Sequence, residues 1–299
     1  MYTAEVFNSR GLFQRLGGWM PSLSGTGAER RALVVLQRAY QVLFHLEQAD
    51  HLELVARQQF NAHVRSMGSV PETLRGWSPT VVGLIIEITG ALTALRVLQN
   101  DVWVLVTNAN GARNAPSSMR DASKKLGPKL DKGKKRPGWY GAIPIEVRAA
   151  VSSYWQQSGE TAALYRDIEQ HHDVLARGCF LLTDGETITR VSVRLPDNPA
   201  TKAPKEFVFN DEIDGLELAH RSFEALHGLV EDVAQAGGAT PAPLKRSTEF
   251  VPPIEHSPGV RQPTALVLFD HAGETGLLIG QDEETHATFI NSSAVVSDR

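Results

Sequence analysis

The sequence predicts a mainly α fold, a four-helix antiparallel bundle with an inserted β hairpin and a small C-terminal β meander. Three observations carry this expectation. Apolar residues recur at every third or fourth position over four long stretches, the spacing of one helix face. The period changes to two beyond Gly178 and again late in the chain. Segments rich in Gly, Pro and Lys separate the periodic runs. At 299 residues and 42% hydrophobic content the chain can bury a substantial core.

Residues 1–27 hold Gly11, Gly17, Gly18, Pro21, Gly25 and Gly27 among scattered apolar positions and are expected to form an irregular arm. The bundle is placed over 28–236. Leu33, Leu36, Tyr40 and Leu43 mark its first helix, from Ala28 to about Met67, or two helices broken near Ala49-Asp50. Ser78 is positioned to cap the second helix, with Pro79 at its first turn. That helix runs to about Val106 and is apolar nearly all round, so it is expected to be the most buried. Glu87 and Arg96 interrupt it and basic flanks are lacking, which argues against a membrane span. Glu87 is expected to pair with Arg96 or with a neighbouring helix.

A basic loop follows over 108–144, where Pro116, Pro128, Pro137 and Pro144 forbid a continuous helix, although Arg120 to Leu126 can form a short one. Periodicity resumes at Ile145 and continues past Gly159 to about Ala176, the third helix. The hairpin insert is placed over 178–209, with Ile188, Val191 and Val193 facing Phe207 and Phe209 across a Pro-rich loop. Asn210 or Asp211 is expected to cap the fourth helix, from about Glu212 to Ala236, which Gly237-Gly238 ends. A Pro-rich linker over 237–263 leads to a small β region over 264–299, whose strands are expected to join the hairpin, since two strands alone are marginal.

The formal net charge of −4 conceals an asymmetry. Arg113, Arg120, Lys124, Lys125, Lys129, Lys132, Lys134, Lys135 and Arg136 stand against only Asp121 and Asp131, a local excess of seven positive charges. A basic island in an acidic chain suits a polyanion; a solvated loop is the plain alternative. The single cysteine, Cys179, excludes an intrachain disulfide and a cysteine-rich zinc site. The opening residues Met1 to Val6 lack the features of a signal peptide, and a cytoplasmic protein is expected.

The densest chemistry lies late in the third helix, at Tyr165-Arg166-Asp167-Ile168-Glu169-Gln170-His171-His172-Asp173. An arginine fork holds phosphate, and a histidine moves protons near neutrality. A charged helix face exposed to solvent is the competing explanation. Arg166, Asp167 and, after a gap of four, His171 resemble the signature of the HEPN superfamily, helical bundles many of which are metal-independent ribonucleases. The placement of the motif on the third long helix also resembles that family.

The resemblance implies an endoribonuclease, in a toxin, defence or stress setting, acting on RNA as a homodimer without metal or other cofactor, and restrained by an inhibitory protein partner. Attack of the ribose 2′-hydroxyl on the adjacent phosphate would be helped by His171 as proton carrier and by Arg166 as the charge stabiliser. His172 is the alternative base. Arg166 and His171, five residues apart, point about 140° from each other on a straight helix. They must therefore meet through a break in the helix or across a dimer. Asp167 and His171, four apart, share a face, so the carboxylate is expected to fix the imidazole tautomer. Tyr165 is expected to pack and Glu169 to be surface charge. Arg120, Lys124, Lys125, Lys129, Lys132, Lys134, Lys135 and Arg136 would grip the RNA backbone, with Trp139 and Tyr140 stacking on bases.

Two other classes fit the same layout. Glu169-x-x-His172 and Glu217-x-x-His220, with Glu47 or Glu53 and Glu87, have the composition of a di-iron carboxylate bundle, although both pairs fall on the last two helices. A catalytically silent dimeric binding module is the other. The sequence contains neither a Gly-rich phosphate loop, a Gly-x-Ser-x-Gly elbow nor a His-Glu-x-x-His site.

Overall fold

The computed structural model describes residues 12–68, 78–126, 136–171, 179–201, 204–210 and 213–241, and the backbone of three later strands; for 169–171 it describes the backbone only. The fold is mainly helical with a small two-stranded antiparallel sheet. Met20–Gly238 forms one compact unit, and the residues on either side of it form a second. In the segment expected to be irregular, Gln14–Trp19 is a short helix, α1, and Met20–Leu23 a 3-10 turn.

Helix α2, Gly27–Met67, is unbroken, so the alternative of two helices meeting at Ala49-Asp50 falls. Ala49 is buried in line with Val35, Leu36, Ala39, Val42 and Leu46, and an apolar stripe that continues past this point keeps the helix whole. Gly68 ends it at φ +77°, the left-handed conformation that glycine adopts without steric cost. Helix α3, Pro79–Ala109, starts as expected, with the Ser78 hydroxyl accepting from the Val81 N–H at 3.3 Å.

Helices α2 and α3 run antiparallel, since Arg38 meets Asp101, His45 meets Glu87 and Gln59 meets Thr80. Glu87 thus pairs with a neighbouring helix, at 2.7 Å from His45. Gly90 lets the imidazole in: a Cβ there would lie 2.8 Å from His45 Nδ1. By length and composition alone α3 could cross a membrane. It is not buried all round, as its sequence suggests. Leu84, Ile88, Leu92, Leu95 and Leu98 face the core, but Ile86 is 61% exposed and Val82 and Val97 are exposed beside it.

Helix α4, Met119–Leu126, is the short helix anticipated within the basic loop. Helix α5, Ile145–Tyr154, passes through a π-helical turn, Trp155–Gly159, into α6, Glu160–His171. The Glu160 N–H bonds the Trp155 carbonyl, five residues back, where an α-helix would use four. Helix α7 is Gly215–Ala236, and it packs on α5 and α3 through residues that include Leu216, Ala219, Phe223, Leu226 and Val230.

The hairpin differs from the expected one. Strand β1, Cys179–Asp184, pairs antiparallel with β2, Thr187–Val193, around the two-residue turn Gly185-Glu186, with Gly185 at φ +59°. Phe207 and Phe209 lie outside any strand, after a 3-10 turn at Pro204–Glu206. Nor does Asn210 cap α7, and Asp211 lies outside the described residues. Asp214 caps it, accepting from the Glu217 N–H at 2.9 Å and pairing with Arg190 of β2 at 3.1 Å. Strands β3, Leu266–Phe269, β4, Gly276–Gln281, and β5, Thr288–Asn291, form their own antiparallel sheet in the order β3-β4-β5. They do not extend the hairpin. The free side of β2 is instead held by α2: the Asn61 amide exchanges two 2.8 Å bonds with the Ile188 backbone, and Glu53 accepts from the Val191 N–H at 3.0 Å.

Candidate functional site

Helix α3 organises the surroundings of the motif through one polar strip in its otherwise apolar surface. Asn100 Oδ1 accepts from the Met119 N–H at 3.1 Å, at the start of α4. The Trp103 indole donates to the Pro116 carbonyl at 2.6 Å. Arg96 donates to Gln99 Oε1 at 3.1 Å and to the Ser118 hydroxyl at 3.3 Å, and its guanidinium lies 5.6 Å from the Trp155 ring centroid. These contacts fix the chain on both sides of Pro116 and deliver α4 to α6.

The π turn lies against the same strip. Gln99 is fully buried, and its Nε2 donates to the Tyr154 hydroxyl at 2.9 Å and to the Gly159 carbonyl at 3.0 Å. Gly159 fits because it has no side chain; a Cβ would sit 2.7 Å from the Tyr154 ring. Burial pushes the Tyr154 phenol well above its ordinary pKa, with the Gln99 hydrogen bond and the Arg96 charge acting weakly against it.

About two turns beyond Gly159, Arg166 and Asp167 emerge half-buried. Arg120 of α4 donates to Asp167 Oδ2 at 2.8 Å, and Arg166 donates to Asp167 Oδ1 at 3.2 Å. Arg96 completes the group. Burial is the main cause of its lowered pKa; the Asp167 charge opposes that, and the Arg120 and Arg166 charges reinforce it. Two guanidiniums therefore bind one carboxylate at the junction of α3, α4 and α6, and a third lies near enough to feel its charge, a local net charge of two positive. Such a cluster attracts an oxyanion and offers it planar, forked donors.

Several sequence expectations change here. Both oxygens of Asp167 are engaged by arginines, so the carboxylate is not reserved for His171. The side chain of His171 lies outside the described residues, as does His172. No break interrupts α6 between Arg166 and His171, and the π turn comes earlier. Tyr165 is a packing residue, buried with its hydroxyl donating to the Pro196 carbonyl at 2.7 Å.

Of the basic segment, Arg120 joins the motif, while Lys124 and Lys125 are exposed, Lys124 pairing with Asp121 at 3.3 Å. Lys129, Lys132, Lys134 and Lys135 lie outside the described residues. The guanidiniums of Arg136 and Arg148 lie 4.1 and 3.9 Å from the centroid of the Tyr140 ring. Trp139 is buried edge-on to Trp103. Neither aromatic is therefore open for base stacking: one ring is occupied by cations and the other belongs to the core.

Of the di-iron alternative, Glu169 and His172 have side chains outside the described residues, and the described groups are engaged elsewhere. Glu87 pairs with His45, Glu53 with Arg57 and the β2 backbone, Glu217 with Arg221, and His220 with Asp50. No group of three or more His, Cys, Asp or Glu suited to a metal is found among the described residues. Arg96 and Gln99 are the site residues that sequence reasoning missed. Their signal was slight: polar side chains at one spacing of α3 in a helix otherwise apolar. Compared with family models, curated proteins and solved structures, the chain matches none.

Proposed function

We propose that this chain is a HEPN-like, metal-independent endoribonuclease that acts as a homodimer of antiparallel four-helix bundles, in a toxin, defence or stress setting and under the restraint of an inhibitory protein. One observation supports the reading above the others. The basic segment and the arginine motif, far apart in sequence, come together where Arg120 grips Asp167 beside Arg166. Each suggests phosphate on independent grounds, and their meeting makes one site of both.

In this reading the 2′-hydroxyl of one nucleotide attacks the neighbouring phosphorus. The bond from phosphorus to the 5′-oxygen of the next nucleotide breaks, leaving a 2′,3′-cyclic phosphate and a 5′-hydroxyl. His171 moves the proton, His172 being its alternative, and Arg166 stabilises the charge that builds on the phosphorane. Because α6 is continuous between them, positions 166 and 171 stand about 140° apart around the helix, and in this reading a twin subunit supplies one of the two groups.

The test is incubation of purified protein with RNA and with DNA in EDTA. Cleavage of RNA alone is expected, reduced by about two orders of magnitude or more in Arg166→Ala and in His171→Ala. Intact RNA would leave the silent binding module as the better account, with the Arg120–Asp167 pair serving to tie α4 to α6.

A further inference from the structure

The ion cluster at Asp167 is unequal in a way that a purely structural staple is not. Arg120 reaches the carboxylate across helices at 2.8 Å, an ordinary charge-assisted distance. Arg166 reaches it at 3.2 Å from the very next position on the same helix. Successive side chains leave a helix about 100° apart, so this guanidinium has to bend back along α6 to make the contact. Its Nε is buried and has no hydrogen-bond partner among the described residues. Arg96 adds a third positive charge, held in place by Gln99, Ser118 and Trp155 rather than by the carboxylate. One aspartate thus serves more cation than it neutralises, and of the two arginines that bind it the motif arginine makes the longer contact.

A carboxylate and a phosphodiester present similar faces to an arginine: one negative charge spread over two oxygens. We infer that Asp167 is a resident substitute for phosphate, occupying the Arg96–Arg120–Arg166 cluster until a backbone phosphate of single-stranded RNA displaces it. The side chain is then a built-in competitor of the ligand. On displacement, Arg166 leaves its bent-back position, and its Nε gains an acceptor. The inference rests on the proposed function in taking RNA as the source of the phosphate; the cluster itself would accept inorganic phosphate by the same chemistry.

The prediction runs against intuition. If Asp167 merely braces the site, its loss weakens binding; if it competes, its loss strengthens binding. Asp167→Asn keeps the shape and one acceptor but removes the charge, raising the cluster from two net positive charges to three. A fluorescein-labelled 2′-O-methyl RNA, which has no attacking hydroxyl, reports binding by anisotropy. Asp167→Asn is expected to bind it about three- to tenfold more tightly than the unaltered protein, and its salt dependence to steepen by about 0.7 in log–log slope, one further phosphate contact. Arg120→Gln is expected to bind more weakly than either.

Equal or weaker binding by a folded Asp167→Asn overturns the inference. Should that variant not fold, the unaltered protein carries the test. Its melting temperature should rise in inorganic phosphate relative to chloride at equal ionic strength, and Arg120→Gln should abolish the rise; no rise overturns the inference. Competition separates the two sources of phosphate: inorganic phosphate that releases the labelled RNA acts at the cluster itself, whereas release only by unlabelled RNA assigns the cluster to the polymer. Cleavage of unmodified RNA is measured alongside. Tighter binding without cleavage by either protein sinks the nuclease and leaves the displacement standing; cleavage without tighter binding does the reverse.

Discussion

Gln99 has no exposed surface and sits on a helix whose neighbours are Leu95, Leu98, Val102 and Trp103, yet its amide is fully used. It accepts from Arg96 and donates to Tyr154 and to the Gly159 carbonyl. Gln99→Leu would leave a buried phenol and a buried carbonyl short of donors, and a loss of about 1–3 kcal/mol in urea unfolding is expected. Tyr154 adds a pH dependence. Its folded-state pKa is raised above the ordinary 10, so its contribution to stability is complete below about pH 10 and is lost as pH rises toward the folded value. Absorbance titration should find at least one of the five tyrosines, Tyr154, un-ionised until alkaline unfolding releases it. At this scale sequence reasoning identified Arg166 and Asp167 as the chemically dense pair. It did not find Arg120 as a partner of Asp167, because spacing along one helix reveals only contacts within that helix. Arg120 approaches from 47 residues away. Arg96 and Gln99 were hidden for the same reason: a polar residue in an apolar stripe acquires a role only from what packs against it.

The docking of the hairpin on α2 is an instance of side chains doing what a third strand would do. Asn61 presents a carbonyl and an N–H to Ile188 as a neighbouring backbone would. Asn61→Ala is therefore expected to lower stability by about 1–3 kcal/mol and to speed hydrogen exchange at the Ile188 amide, measured by NMR. Regular helices were the most legible elements: the apolar stripe of α7 coincides with its buried face, whereas in α2 only Leu36 of the four expected residues is buried and Leu33, Tyr40 and Leu43 are half-buried beside it. Alternation around Phe207 and Phe209 was misleading. The stronger signal was Gly185, which supplies the positive φ at the first position of the two-residue hairpin turn Gly185-Glu186. Similarly, three acceptors compete to start α7 within five residues, and Asp214 prevails because it can also take Arg190 of β2.

At the scale of the molecule, Met20–Gly238 contains its own core, from Val35 and Leu36 through Leu95 and Trp103 to Leu226 and Val230. Expressed alone, this span is expected to unfold in one cooperative thermal transition with helical circular dichroism, while a gradual, non-cooperative loss of signal would show that the flanking residues are needed. Composition foresaw the helical class and the late change to strands, but not that the late strands pair among themselves in the order β3-β4-β5. The extra residue carried by Trp155–Gly159 has a further meaning. A helix is a screw, and one surplus residue turns everything beyond it by about 100° relative to everything before. Shortening that turn by deleting Gln157 would leave the composition of α6 unaltered but swing Arg166 and Asp167 away from Arg120, toward a different quarter of the protein. Chain length, rather than residue identity, is thus the dial that aims the motif.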